Sequence, residues 1–483
     1  MQPSNTRLLQ AVRDTLLTRL APRLKERDAL DLVGAMDVAI CELLHREGDR
    51  PALSARMADR YAALAAEGER ILEVGPDAGH AASPRARLAA LVELAAQRSG
   101  TGNDPLAVSA WLADVLDSDV EEVLASNAPI AHGAVEAFDP VAFDHALLAA
   151  DIGRQLGRSA PVRIDRIEIL SGGFSRSTLA VGWSDDAGSG EMVVRRQKAD
   201  GILADVCLSA IDEFPVIRFA HRHGLRVPEQ YWAQPDAGVI GGPFIAMERA
   251  RGRPLGSAMG AQDVDDAIMR QIAVELARLH RLPWREATDE LAPAFGLPAD
   301  HMDAERALDI LLGRWKSLWD KAALTPSPAM SAGYAYLRHN RPPKAVATCL
   351  LHGDIGFHNL LFEEGRLTAW LDWETSFIGD PAKDLATCRS FVPIYTDWDR
   401  FLGWYRDAGG FEVEARSIDY YSVLRVVTQL IVGEMGWQTK FAAQARSEIE
   451  YLVLGGPVRS YFYNDYKSCV GIIAAMGQGS NAS

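Results

Sequence analysis

The sequence predicts an α+β chain in which an all-α N-terminal region precedes a small antiparallel sheet and then a larger helical region. Three observations carry this. From Thr6 to about Asn127 the chain is rich in Ala, Leu, Glu and Arg, with apolar residues recurring at spacings of three and four. After Ala128-Pro129 short runs of β-branched and aliphatic residues take over, separated by glycine-containing turns. Beyond Gly252 the helical period returns, interrupted by one strand-rich insert from Cys349 to Phe377.

In the first region Ala52 to Ala58 and Ala86 to Gln97 have the spacing of amphipathic helices, and Gly48-Asp49, Gly75-Pro76 and Gly100 to Pro105 supply the turns. A helix from Ala142 to Gly157 leads into three strand candidates, Ile164 to Leu170, Thr178 to Trp183 and Met192 to Arg195. Ser171-Gly172-Gly173 and Asp185 to Gly190 separate them, as hairpin turns would. A helical segment is expected from about Val206 to His223 and a further strand around Val239 to Met247. The most periodic later helices are Ile268 to His280, Ala304 to Asp320 and Tyr420 to Met435.

A chain of 483 residues exceeds one ordinary core and predicts at least two domains. The composition, 48% hydrophobic and 24% charged, is that of a globular protein, and no apolar run approaches a bilayer span. Fifty basic against 65 acidic residues give a net charge of −15, which repels a phosphate backbone and makes nucleic acid a poor partner. The five cysteines, Cys41, Cys207, Cys349, Cys388 and Cys469, are scattered and never form a CxxC pair, so reduced thiols in a cytoplasm are expected.

The chemistry concentrates in the insert. His352-Gly353-Asp354-Ile355-Gly356-Phe357-His358-Asn359 is followed by Leu371-Asp372-Trp373-Glu374. Phosphoryl transfer asks for a carboxylate beside the acceptor hydroxyl and hard oxygen ligands for Mg²⁺. Asp354 can orient the hydroxyl and accept its proton, while Asn359 and Asp372 can hold the metal. A lone HGD triplet carries little, since its Asp can simply cap a turn. The spacing to Asn359 and the acidic motifs downstream give it weight.

This arrangement resembles the catalytic loop of the protein-kinase-like superfamily, and with HGD in place of HRD it is similar to the aminoglycoside phosphotransferase family. Leu371 to Glu374, Gly379-Asp380-Pro381 and Asp384-Leu385-Ala386 match that family's LDWE, GDP and DLA run. The resemblance covers about residues 145 to 450. It is nearest to the branch fused to acyl-CoA dehydrogenase domains, judged also by the arginine pair of Met192 to Arg196, Phe401 to Tyr405 and Tyr420-Tyr421. It implies a bilobal protein-kinase-like fold, with a sheet-bearing nucleotide lobe at 140–250 and a helical catalytic lobe at 251–475. Residues 1–135 then form a separate helical region, read as a dimerisation or protein-interaction unit.

The resemblance further implies ATP and Mg²⁺ as cofactors and a small-molecule hydroxyl as acceptor, with no membrane. Gly172, Gly173 and Ser175 would belong to a loop over the phosphates. Arg195 would take the place of the phosphate-pairing lysine, unless Arg196 faces inward instead, and Glu213 would orient it, with Asp212 the competing choice. The backbone at Met247, Glu248 and Ala250 would grip the adenine. His352 and His280 are read as structural, His358 as incidental, and Asp380 and Asp384 as satisfying backbone donors. Hydroxy acids, hydroxyacyl thioesters or phenols and alcohols are the favoured acceptors. An aminoglycoside or macrolide kinase, or a non-catalytic nucleotide-binding scaffold, are the alternatives.

Overall fold

A computed structural model describes residues 50–75, 83–98, 103–126, 144–170, 176–198, 206–257, 260–322, 326–441 and 458–475, with isolated positions at 9, 11–13, 16, 36, 40 and 203. The chain divides into two compact units, and neither is one stretch of sequence. The first comprises Met1–Phe138, Lys316–Pro342 and Val423–Ser483; the second comprises Asp139–Trp315 and Pro343–Ser422. The linear partition expected at 1–135, 140–250 and 251–475 therefore differs from the packing: two late stretches cluster with the early helices.

In the first unit the helices Arg50–Ile71, Pro84–Gln97 and Pro105–Ser126 pack with Pro328–His339 and the short Arg459–Tyr466 and Val470–Ala474. Leu88, Leu91, Val92, Leu112, Val115 and Leu116 form its core and are buried. The polar counterpart is Asp119, wholly buried. Its Oδ1 accepts from Arg85 Nε (2.9 Å) and Nη2 (2.6 Å) and from the Tyr61 hydroxyl (3.2 Å). Its Oδ2 accepts from Ser327 Oγ and the Ala329 N–H, both at 3.0 Å. One carboxylate thus caps the start of the Pro328–His339 helix, and this is why that late helix joins the early ones.

The second unit holds a five-stranded antiparallel sheet of β1 (Arg163–Leu170), β2 (Arg176–Asp185), β3 (Gly188–Gln197), β4 (Gln230–Gln234) and β5 (Phe244–Met247), in the order β1-β2-β3-β5-β4. The β2–β3 hairpin pairs Leu179 with Val194 and closes at Asp185 opposite Gly188. One face, with Leu179, Val181, Met192 and Val194, packs on Leu148 and Ile152 of the helix His145–Gln155. Strand alternation turns Arg195 to the opposite face. The strand expected from Val239 is confined to β5. Val239 and Ile240 are buried by the sheet core, but a turn organised by Asp236, whose Oδ1 accepts the Gly238 N–H at 2.8 Å, keeps them out of the ladder.

The helical part of this unit includes Asp266–His280, Ala382–Arg389 and Trp398–Asp407. Two small sheets carry the insert. Strand β6 (Arg253–Pro254) pairs with β8 (Leu360–Glu363), which pairs with β9 (Arg366–Trp370); β7 (Cys349–Leu351) pairs with β10 (Phe377–Gly379). The β7–β8 loop is residues 352–359, and β9 delivers Asp372 just beyond its end. The observed class is the expected one, a small antiparallel sheet with a larger helical part. Among the described residues no helix is long and apolar enough to cross a membrane.

Candidate active site

The loop 352–359 is pinned from behind by Asp384, a fully buried carboxylate near the start of the helix Ala382–Arg389. Its Oδ2 accepts the His352 N–H (2.9 Å) and its Oδ1 the Gly353 N–H (2.8 Å). His280 Nε2 lies 3.3 Å from the same carboxylate, and His280 Nδ1 lies 2.8 Å from the Tyr405 hydroxyl. Burial pushes the Asp384 pKa up, but His280, Lys383 and His352 prevail and hold it below its ordinary value. Gly353 adopts φ +88°, and a Cβ there would stand 2.3 Å from the Thr375 carbonyl. Only glycine fits that turn.

His352 fixes the next residue. Its Nε2 must donate to the Leu371 carbonyl (2.9 Å), which leaves Nδ1 to accept the Asp354 N–H (3.3 Å). Burial lowers its pKa, in keeping with this neutral tautomer. Trp370 and Trp373 meet its ring edge-on, at centroid distances of 5.5 and 4.9 Å. The imidazole therefore ties the loop 352–359 to the strand end that presents Asp372.

At Asp354 burial favours the neutral acid, yet His358, His352 and the Asn359 amide outweigh it and bring the pKa down to about 2. Asn359 Nδ2 donates to the Asp354 carbonyl (2.9 Å) and to Asp354 Oδ2 (3.0 Å). Both amide hydrogens are thereby used, and the Asn359 side-chain oxygen is left to face another ligand. His358 Nε2 stands 3.5 Å from Asp354 Oδ2. Burial lowers the His358 pKa, but the Asp354 carboxylate raises it by more. Read from sequence as incidental, His358 stands beside the Asp354 carboxylate. The i,i+4 spacing was the available signal, and the short 3₁₀ turn Phe357–Asn359 brings the two together.

Asp372 adopts φ +63°, a left-handed conformation in which Asp is among the better-tolerated side chains. Its Oδ1 accepts from Arg195 Nη2 at 2.6 Å, while Arg195 Nη1 donates to Glu213 Oε1 at 2.6 Å. Burial works against the Arg195 charge, but Glu213 and Asp372 overcome it and raise its pKa. Glu213 is fully buried in the helix Ala210–Arg222 and also accepts the Trp373 N–H (3.0 Å). Asp212 instead caps that helix with Ser209, and Arg196 turns to the Ile240 carbonyl (3.2 Å) and Ser177 Oγ (3.1 Å). Of each competing pair, Arg195 and Glu213 are the ones at the site.

Glu248 begins the segment beyond β5, where its N–H donates to the Glu229 carbonyl (2.8 Å); Met247 ends the strand, and Ala250 follows half-buried. Gly172, Gly173 and Ser175 lie outside the described residues. Lys383, not singled out in the sequence, reaches the Gly353 carbonyl at 3.4 Å from the helix Ala382–Arg389.

The donor set suits a hard cation: the Asn359 amide oxygen and the second Asp372 carboxylate oxygen, Oδ2, are the two protein oxygens offered. Mg²⁺ is commonly held by one or two such groups together with nucleotide phosphates and water.

Residues 166–420 match the family model described as APH, phosphotransferase enzyme family. Acyl-CoA dehydrogenase family member 11 of Gallus gallus is 31% identical over 207 residues, which are 42% of this chain and 25% of that protein. The Homo sapiens protein of the same name is 27% identical over 248 residues, 49% of this chain and 30% of that one. Viomycin phosphotransferase of Streptomyces vinaceus is 28% identical over 174 residues, 34% of this chain and 55% of that one. The chain thus spans about a quarter of the length of the dehydrogenase-named relatives it matches. Among solved structures, the apoenzyme of a macrolide 2'-phosphotransferase from Brachybacterium faecium aligns with a TM-score of 0.42 at 18% identity, over 63% of this chain and 97% of that one.

Proposed function

The chain belongs to the phosphotransferase enzyme family, and from that premise we propose that it is an ATP-dependent small-molecule kinase, moving the γ-phosphoryl group to a hydroxyl of an organic acceptor. The observation that carries this reading is the joining, in one unit, of two hydrogen-bonded sets, Asp354 with Asn359 and Asp372 with Arg195 and Glu213, through His352 and the bond from the Leu371 N–H to the Asn359 carbonyl (2.8 Å). Asp354, ionised at neutral pH, orients the acceptor O–H and takes its proton late in the transfer. Asn359 and Asp372 would hold Mg²⁺, which when bound neutralises charge on the phosphates. Arg195, locked between two carboxylates, directs its remaining donors to phosphate oxygens. The glycine-containing loop at Gly172, Gly173 and Ser175 and the backbone at Met247, Glu248 and Ala250 would complete the nucleotide site.

The acceptor classes in view are hydroxy acids, hydroxyacyl thioesters and phenols or alcohols. The similarity to the dehydrogenase-named proteins supports these, while the likeness to a viomycin phosphotransferase keeps antibiotic acceptors in play. The site is read as working in the cytoplasm, with partners or a second copy engaged through the early helices. The test is Mg²⁺- and ATP-dependent phosphorylation across such a panel, with viomycin and aminoglycosides included. Asp354→Asn is expected to lose at least 100-fold in kcat while binding ATP within about threefold of the native chain. ATP binding without turnover of any panel member would favour a nucleotide-binding scaffold.

A further inference from the structure

The cations around the catalytic loop are unequally engaged. Arg195 spans Glu213 and Asp372 at 2.6 Å each. Arg176 donates to the Leu208 carbonyl and faces Glu374 at 3.8 Å and Glu213 at 4.0 Å. His358 is paired with Asp354. Lys383 differs: among the described residues its ammonium makes one hydrogen bond, the 3.4 Å contact to the Gly353 carbonyl, and no ion pair. Its Nζ stands 2.9 Å from where a Gly353 Cβ would be, so the absent side chain at 353 is what lets the ammonium lie against the catalytic loop, one residue from Asp354.

Lys383 sits against the local preferences of its helix. It is the second residue of the helix Ala382–Arg389, where the helix dipole favours anions over cations. It is partly buried, so its charge is incompletely hydrated. Burial lowers its pKa, against the pull of Asp384 and Asp354. A cation held at such cost beside a catalytic carboxylate is matched to an anion that arrives with the substrates.

We propose that Lys383 is a catalytic residue of the transfer, its ammonium binding a non-bridging oxygen of the γ-phosphoryl group as that group passes to the acceptor oxygen at Asp354. This rests on the kinase reading. In the step, the bond from γ-phosphorus to the β,γ-bridging oxygen breaks as the bond to the acceptor oxygen forms. ADP departs with the bridging electron pair, and the acceptor proton goes to Asp354. Charge gathers on the transferred group's three non-bridging oxygens, where a preplaced cation acts most strongly.

A planar phosphoryl mimic tests this without knowledge of the acceptor. Titration calorimetry would compare ADP and Mg²⁺ with and without aluminium fluoride, for the native chain, Lys383→Met and Lys383→Arg. The native chain is expected to bind ADP at least tenfold more tightly with the mimic. Lys383→Met should bind ADP alone within about twofold of native, which also reports that it is folded, and lose that gain; Lys383→Arg should keep part of it. Full tightening in Lys383→Met, or none in the native chain, would overturn the proposal while leaving the kinase reading standing. A native chain that binds no ADP at all would remove both.

Discussion

Asp354 and Asp372 are both carboxylates of the candidate site, yet their surroundings give them different work. Asp354 receives hydrogen bonds that favour its ionised form, whereas Asp372 is held against a guanidinium in a left-handed backbone conformation. Asn tolerates that conformation nearly as well as Asp. Asp372→Asn should therefore leave the fold intact, with a melting temperature within about 3 °C of native, while kcat falls by on the order of 100-fold as the charge of the proposed metal ligand and a partner of Arg195 are lost. A variant that melts far lower would mean that Asp372 is chiefly a structural partner of Arg195. Glu213 is a sharper case, because it is wholly buried and serves both Arg195 and the Trp373 N–H. Glu213→Ala leaves a buried guanidinium half-paired and should cost about 3 kcal/mol in urea unfolding. The individual residues of the loop were legible in sequence because Asp354, Asn359 and Asp372 fall within one short insert, where spacing alone brings them together. The placement of Lys383 and of His358 against the loop was not, since each depends on which way a turn or helix start points its side chain.

At the scale of elements, the helix Ala382–Arg389 is the support on which the loop 352–359 rests, and its start is built from two unlike aspartates. Asp384 is held ionised by its donors. Asp380 caps the same helix through the Ala382 N–H (2.8 Å), but burial outweighs that bond and lifts its pKa to about 6. The folded chain thus binds this proton more tightly than the unfolded chain, where Asp titrates near 3.8. The stability it contributes is fully present below about pH 4 and is lost as pH rises through about 6. Asp380→Asn keeps an acceptor for the cap without the ionisation cost. Urea unfolding should find the variant level with the native chain near pH 4 and more stable by up to about 3 kcal/mol at pH 8; equal stability at both pH values would contradict the assignment. Strands β1 to β3 were visible in sequence as short runs of β-branched and aliphatic residues between turns, and the helix Asp266–His280 through the helical spacing of its apolar residues. The five-residue strand Gln230–Gln234 was not, since it is a sheet-edge strand of mixed burial. Val239 and Ile240 misled for the opposite reason: they are apolar because they cover the core, whatever their backbone does.

For the molecule as a whole, the discontinuous first unit changes what a fragment can do. Asp119 needs Ser327 and Ala329 to complete its shell, and the Pro84–Gln97 helix packs against Pro328–His339. A fragment of residues 1–135 retains the Arg85 pair but loses two donors to a buried carboxylate and the apolar cover of that helix. It is expected to lack a cooperative thermal transition, measured by circular dichroism, although the sequence suggested an independent region there. A sharp transition in the fragment would mean that the early helices need no later stretch. Nothing in local periodicity could reveal this, because the contacts of Asp119 join residues about two hundred positions apart.

The same interleaving sets an order of events on the ribosome. The helix Pro105–Ser126 emerges roughly 330 residues before Arg459–Tyr466, so at about 5–20 residues per second the face that packs on that late helix waits roughly 15–65 s to be covered. The unit that carries the phosphotransferase-family match, all of it encoded between 139 and 422, can close within that interval. The early helices are then finished only after this unit, and during the delay the faces that the late helices will cover are open to chaperones, which makes nascent-chain handling a property of this fold.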